Sequence, residues 1–220
     1  MGNEVIRTFL FADLSGFAAL TEAHGDSQAA DCAARFYELT QQSLVSDARL
    51  VKKIGDAVMI IASQPIAAVS TALKLLASVQ LEPDFPAVRC GVHLGQVVER
   101  DGDYYGAAVN LTARLTAFAH SDQVLCTRQV ADTLSDLYVN LRSCGSTQFK
   151  NVAQPVEVFE ITGVSQSPEP GLIDPVCRMR LDPGLAPAHL PFQDSEYYFC
   201  SLACAQIFLQ SPEVYARNGQ

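Results

Sequence analysis

Val51-Lys52-Lys53-Ile54-Gly55-Asp56-Ala57, continuing as Val58-Met59-Ile60-Ile61-Ala62, joins two apolar, β-branched runs through a Gly-Asp pair. Such a pair between strand-like runs predicts a tight hairpin, because glycine takes a positive φ without steric cost. The hairpin puts Lys52 and Asp56 together at one rigid strand end. Taken alone, the stretch reads equally well as a turn-shaping aspartate flanked by solvated lysines. The rest of the chain decides between the two.

Upstream, residues 4–12 form an apolar run suited to a buried strand, which delivers Asp13-Leu14-Ser15-Gly16-Phe17 at its end. From Asp26, an expected N-cap, Ala29, Ala33, Phe36 and Leu44 recur at helical spacing, predicting one helix to about residue 45. Downstream of the hairpin, Pro65 opens a second helix with Ile66, Val69, Leu73 and Leu76 on one stripe. Val88, Cys90, Val92 and Leu94 then alternate as a half-buried strand closed by Asp101-Gly102. A helix over 107–119, a strand over 123–127, a short helix over 129–137 and a returning strand over 156–161 complete the pattern. The order βαββαβ, extended at its end, is that of a ferredoxin-like α+β sandwich, with helices covering one face of a mainly antiparallel sheet. Residues 164–171, rich in Pro, Ser and Gly, read as a linker between a first domain (1–163) and a small second one (172–220).

Composition narrows the function. A formal charge of −9 and a pI near 4.8 argue against nucleic acid as the main partner, because phosphate backbones want a basic surface. A small anion in one local pocket remains compatible. The seven cysteines are an odd number, and Cys32, Cys90, Cys126 and Cys144 are scattered through the first domain without an export signal. They read as reduced core thiols of a cytoplasmic protein. The N-terminus has no basic flank, and Ile6 stands where a myristoylation site wants Ser or Thr. The most apolar window, 57–79, is broken by Gln64-Pro65 and Lys74, so no membrane span is expected.

The polar residues at element ends are Asp13, Lys52, Asp56 and Asp103, followed by Asn110 and Arg114, whose spacing of four puts them on one helix face. This set resembles the class III nucleotidyl cyclase catalytic domain over residues 4–163. Three motifs carry the likeness: Phe11-Ala12-Asp13-Leu14-Ser15-Gly16-Phe17, Lys52-Lys53-Ile54-Gly55-Asp56-Ala57, and Asp103-Tyr104-Tyr105-Gly106-Ala107-Ala108-Val109-Asn110-Leu111-Thr112-Ala113-Arg114-Leu115. The resemblance implies an adenylate cyclase converting ATP to 3′,5′-cyclic AMP and pyrophosphate. Asp13 and Asp56 would hold two Mg²⁺ or Mn²⁺ ions per active site. Lys52 and Asp103 would read the purine edge; an ammonium and a carboxylate match adenine N1 and the 6-amino group, whereas guanine presents the opposite pattern. Arg114 would neutralise the α-phosphate and Asn110 orient the ribose. Metal and purine residues would come from different subunits of a head-to-tail homodimer. Leu94 and His120-Ser121-Asp122-Gln123 depart from the usual family pattern, and His93 reads as a core residue. The competing reading is a catalytically silent nucleotide or metal sensor on the same fold.

The last fifty or so residues change character. A segment this small needs a staple, and Cys177, Cys200 and Cys204 offer one, with Cys200 and Cys204 one helical turn apart. Gathered thiolates suit Zn²⁺ or Cu⁺. Asp174-Pro175-Val176-Cys177-Arg178-Met179, Tyr197-Tyr198-Phe199-Cys200-Ser201 and Pro212-Glu213-Val214-Tyr215 are similar to the YHS domain and the related TRASH modules. His189 is either the fourth ligand or an exposed loop residue, and a small Cys/Phe core without metal is the alternative for the cysteines.

Overall fold

β1 (Asn3–Leu14) is the organising strand. Its inner residues Leu10, Ala12 and Leu14 face one layer and Phe9 and Phe11 the other, so both faces are covered and the strand reads as one apolar run. The computed structural model describes residues 2–134, 139–163, 172–182 and 184–216, and the linker expected at 164–171 lies outside the described residues. After β1 come α1 (Phe17–His24), α2 (Asp26–Ser43), the β2 (Arg49–Ile54) and β3 (Ala57–Ala62) hairpin, and α3 (Pro65–Gln80). Then follow β4 (Val88–Arg100), β5 (Asp103–Tyr105), α4 (Ala107–Phe118), β6 (Val124–Thr127), α5 (Arg128–Ala131), β7 (Val139–Thr147) and β8 (Val156–Gly163). The sheet runs β2-β3-β1-β4-β6-β8-β7, with β5 paired on the end of β4. Its pairs are antiparallel except β4 with β6. This is the expected α+β sandwich, although β5 is an added short strand and the helix expected over 129–137 is the shorter α5; three larger differences follow.

The helix expected from Asp26 is preceded by a separate one, because Gly25 at φ 85° breaks the chain between α1 and α2. Asp26 is the first helical residue and not the cap. The helices also do not share one face. Those before β4 pack on the Leu10 side, whereas α4 lies over Phe9, Phe11, Met59 and Ile61. Two glycines of β4 permit that approach: a Cβ on Gly91 would sit 2.5 Å from Thr116 Oγ1, and one on Gly95 2.6 Å from the Ala108 Cβ. β7, finally, was not expected, since it is an edge strand exposed over most of its length, and its alternation stops after Val139 and Leu141. Cys144 on β7 is exposed, unlike Cys32, Cys90 and Cys126. No described helix is long and apolar enough to cross a membrane.

The C-terminal residues build β9 (Leu172–Ile173) with β10 (Arg180–Leu181), a hairpin of β11 (Ala188–Phe192) and β12 (Ser195–Phe199), then α6 (Leu202–Gln210) and α7 (Pro212–Ala216). Phe208 is ringed by Phe192, Tyr197, Phe199 and Tyr215. This unit is docked and not merely tethered. Val176, Cys177 and Met179 join the same core as Leu14 and Leu20, and the Ala87 N–H donates to the Arg178 carbonyl at 3.0 Å. Arg180 forks onto both oxygens of Asp122 in a largely buried ion pair. Asp122 belongs to the 120–123 turn that departs from the cyclase pattern, which gives that departure a docking role.

His93 is a buried core residue, as expected, with Nδ1 2.8 Å from Thr127 Oγ1. Desolvation pushes its imidazole down to about 4 from an ordinary 6.5. Between those values the unfolded chain takes up a proton that the native state refuses, so stability falls as pH drops. The expected loss from pH 7 to pH 5 is about 2 kcal/mol through this group. Urea unfolding of wild type and His93→Gln at both pH values measures it, and equal losses in the two proteins would clear His93 of that role.

Candidate functional site

Asp13 is the penultimate residue of β1, opposite Ala57 of β3 and Arg89 of β4 in register. Asp56 occupies the β2–β3 turn beside Gly55, whose φ of 62° is the positive value expected there. Its backbone carbonyl accepts from the Leu14 N–H at 3.3 Å, which locks the turn to the end of β1. Burial pushes the Asp13 carboxyl up, Arg89 pulls it back down, and neighbouring Asp56 raises it further, for a net upward direction. Arg89 donates Nε and Nη2 to Asp13 Oδ2 at 2.9 and 2.6 Å, and Nη1 to the Ala117 carbonyl at 3.2 Å. Sequence reading missed Arg89. Its only signal was a charge inside a buried alternation.

Asp13, Asp56 and Arg89 line one cavity of about 790 Å³. The far wall comes from the C-terminal unit, through Val176, Arg178 and Tyr215. Gly16, at φ 71°, lets the loop pass close beneath that wall: a Cβ there would lie 2.8 Å from Arg178 Cγ. Ser15, on the same loop, keeps a buried hydroxyl without a hydrogen-bond partner among the described residues. The pair of hard carboxylates, one half-buried with a raised pKa and held by Arg89, the other without a guanidinium of its own among the described residues, suits divalent cations such as Mg²⁺ or Mn²⁺.

Lys52 and Asp103 form a second group away from that cavity's lining. Lys52 Nζ lies 2.7 and 2.6 Å from the two Asp103 oxygens, and Asp103 Oδ1 also accepts from the Tyr104 N–H at 2.8 Å. Lys52 therefore holds the Asp103 carboxyl below its ordinary range. Asn110 is exposed on α4, and Arg114, one turn later, is half-buried with no hydrogen-bond or ion-pair partner among the described residues. Neither lines the carboxylate cavity. Within one chain the six residues thus fall into separate sets.

The thiols do gather. Cys200 Sγ is 3.3 Å from Cys177 Sγ and 3.7 Å from Cys204 Sγ. The histidine beside them is not His189. His24, the last residue of α1, brings Nε2 to 3.3 Å from Cys200 Sγ and 3.7 Å from Cys204 Sγ. His189 sits exposed on β11, stacked on Tyr198 with ring centroids 5.8 Å apart. The two are cross-strand partners, so the hairpin itself holds the imidazole against that ring. His24 was overlooked because it lies in the other domain, more than 150 residues upstream.

Buried Asp174 ties the two cysteine-bearing loops together: Oδ1 accepts from Val176 N–H and Cys177 N–H, and Oδ2 from Cys200 N–H. Ser201 caps α6 by accepting from the Cys204 N–H at 3.1 Å, placing that thiol in the first turn. Hydrogen bonds from Cys177 and Cys200 push the Cys204 thiol down, and the same contacts push Cys177 up. Three thiolates side by side would need a cation.

Comparison with known proteins agrees with this geometry. The family model for the adenylate and guanylate cyclase catalytic domain matches residues 4–163, and the YHS domain model matches 172–218. The pH-sensitive adenylate cyclase MT1302 of Mycobacterium tuberculosis is 36% identical over 129 residues, covering 59% of this chain and 32% of that protein. An adenylate cyclase of Streptomyces griseus is 38% identical over 117 residues, covering 52% of this chain and 29% of its own length. The chain thus spans about a third of the length of these relatives. Among solved structures, a monomeric adenylate cyclase from Trypanosoma brucei superposes with a TM-score of 0.68 at 22% identity, covering 80% of this chain and 93% of that one. The adenylate/guanylate cyclase/hydrolase from Silicibacter pomeroyi gives 0.66 at 24%, covering 76% and 100%. The sheet, the paired carboxylates and these matches place the chain in the adenylate and guanylate cyclase catalytic domain family, with a YHS domain at its C-terminal end.

Proposed function

We propose that the chain is an adenylate cyclase, forming 3′,5′-cyclic AMP and pyrophosphate from ATP at sites shared between two copies. The observation that carries this reading is the pairing of Asp13 with Asp56 in a cavity that also holds Arg89. These two carboxylates would hold two Mg²⁺ or Mn²⁺ ions, which when bound supply Lewis acidity toward the attacking 3′-hydroxyl and the phosphates. Arg89 would turn from Asp13 Oδ2 to a phosphate oxygen of the triphosphate.

On the other set, Lys52 donates to adenine N1 while Asp103 accepts from the 6-amino group. Their mutual ion pair, at 2.6 Å, pre-forms the reading edge before substrate arrives. Guanine would set donor against donor and acceptor against acceptor there, so GTP should be poorer by at least about 100-fold. Arg114, free of any carboxylate, offers its guanidinium to the charge that builds on the α-phosphate, and Asn110 positions the ribose. Because these residues lie off the cavity that holds Asp13 and Asp56, a head-to-tail homodimer is the arrangement that completes a site.

The YHS unit reads as a regulatory module that answers to Zn²⁺ or Cu⁺ through Cys177, Cys200 and Cys204, since Val176 and Arg178 flank Cys177 and line the catalytic cavity. Reduced thiols and an ATP substrate fit a cytoplasmic setting. Incubating purified protein with ATP or GTP in Mn²⁺ or Mg²⁺ and separating the products tests the proposal. Cyclic AMP from ATP is the expected result. Tight ATP binding without cyclic product would favour a silent nucleotide sensor.

A further inference from the structure

We propose that His24, Cys177, Cys200 and Cys204 form one tetrahedral Zn²⁺ site that bridges the two domains and locks the YHS unit onto the catalytic domain. The inference stands independently of the reaction the chain catalyses. All four ligand atoms lie within 4.8 Å of one another. A tetrahedral zinc ion at about 2.3 Å from sulfur and 2.0–2.1 Å from nitrogen sets ligand atoms roughly 3.5–3.8 Å apart. Four of the six separations, at 3.3, 3.3, 3.7 and 3.7 Å, fall within about half an ångström of those values, and the other two lie within 4.8 Å. Three thiolates and one imidazole are a recognised structural zinc set, and the intermediate donor softness of that set favours Zn²⁺ over Mg²⁺ or Ca²⁺.

The surroundings are built to hold such ligands. Asp174 fixes the loops of Cys177 and Cys200 through three backbone N–H groups, and the first turn of α6 presents Cys204 with its N-terminal dipole. An entry path exists as well: a cavity of about 350 Å³ opens onto His24 and Cys200, both only half-buried.

The site's position gives it a consequence. His24 ends α1, the helix whose first turn follows the Ser15-Gly16 loop, while Cys177 precedes Arg178, the residue above Gly16. One ion therefore joins both sides of the catalytic cavity's rim. Arg180 with Asp122, and the Ala87 to Arg178 backbone bond, anchor the same interface nearby. Loss of the ion would leave those contacts, the Arg180 N–H to Phe85 carbonyl bond and the apolar packing of Val176 and Met179 to hold the unit.

Metal analysis of full-length protein purified under reductant should find one zinc per chain. X-ray absorption at the zinc edge should count three sulfurs and one nitrogen. His24→Ala should weaken zinc at least about tenfold in a chelator competition and alter the visible bands of the Co²⁺-substituted protein. His189→Ala should leave both unchanged. Proteolytic release of the C-terminal unit should speed up on zinc removal, and in His24→Ala without it. The absorption measurement uses wild type, so a misfolded variant does not spoil the test. Absence of bound metal, a sulfur-only or oxygen-rich shell, Cu⁺ held by the thiols with His24 dispensable, or release rates indifferent to zinc would each overturn the proposal.

Discussion

Asp56→Ala is expected to lower cyclic AMP formation by at least about 1,000-fold while leaving thermal unfolding within a few degrees of wild type. Asp56 sits half-exposed in a hairpin turn whose φ is supplied by Gly55, and its backbone carbonyl, not its side chain, makes the bond to Leu14. Truncation therefore removes a carboxylate and its contact with neighbouring Asp13 while leaving the backbone bond of the turn in place. Asp13→Asn should reach a similar loss of turnover at a larger cost in stability. Its side chain is only 17% exposed and is the ion-pair partner of Arg89, so the amide would leave a guanidinium partly buried without its counter-charge. Product assays and melting curves on both variants, with circular dichroism to establish folding, make the comparison. Turnover that survived both changes would remove the cyclase assignment.

Restored activity is the second expected result, when Asp56→Ala and Arg114→Ala proteins, each inactive alone, are mixed. In a head-to-tail dimer each site takes its carboxylates from one subunit and its α4 residues from the other. A mixed dimer then has one site carrying both lesions and one carrying neither. Random exchange makes about half the dimers mixed, each with one working site of two, so about a quarter of wild-type activity should return. Arg114 is suited to the experiment because it holds no partner among the described residues and its loss should not disturb the fold. Exchange is followed separately, by fluorescence transfer between labelled subunits. Exchange without recovered turnover would rule out the shared site and leave each chain to complete its own.

Both results concern residues that were readable along the chain. Asp13, Asp56 and Asp103 stand at strand ends and turns, where local signals such as a Gly-Asp pair or a strand running into polar residues mark position without knowledge of the fold. Asn110 and Arg114 needed only a helical period. The alternation of β4 and the apolar runs of β1 and β3 were likewise legible, because burial on known faces leaves a period in the sequence. β7 left only Val139 and Leu141, too short a period to mark a strand, because the rest of it is exposed.

What the chain determined by itself, then, is the order of the buried strands and the longer helices, the sandwich class and the residue types at the candidate site positions, since each depends on neighbours a few residues away. Tertiary structure decided which distant groups share a volume. Arg89 meets Asp13 across 76 positions, Arg180 meets Asp122 across 58, and Cys200 meets His24 across 176. It also set α4 on the sheet face opposite α3, through the room left at Gly91 and Gly95, and it left His189 stacked on Tyr198 while His24 took the place beside the thiols. No local pattern encodes such choices. They follow from the one packing that buries the apolar faces of all the elements at once, and a histidine's partner is whatever that packing brings within reach.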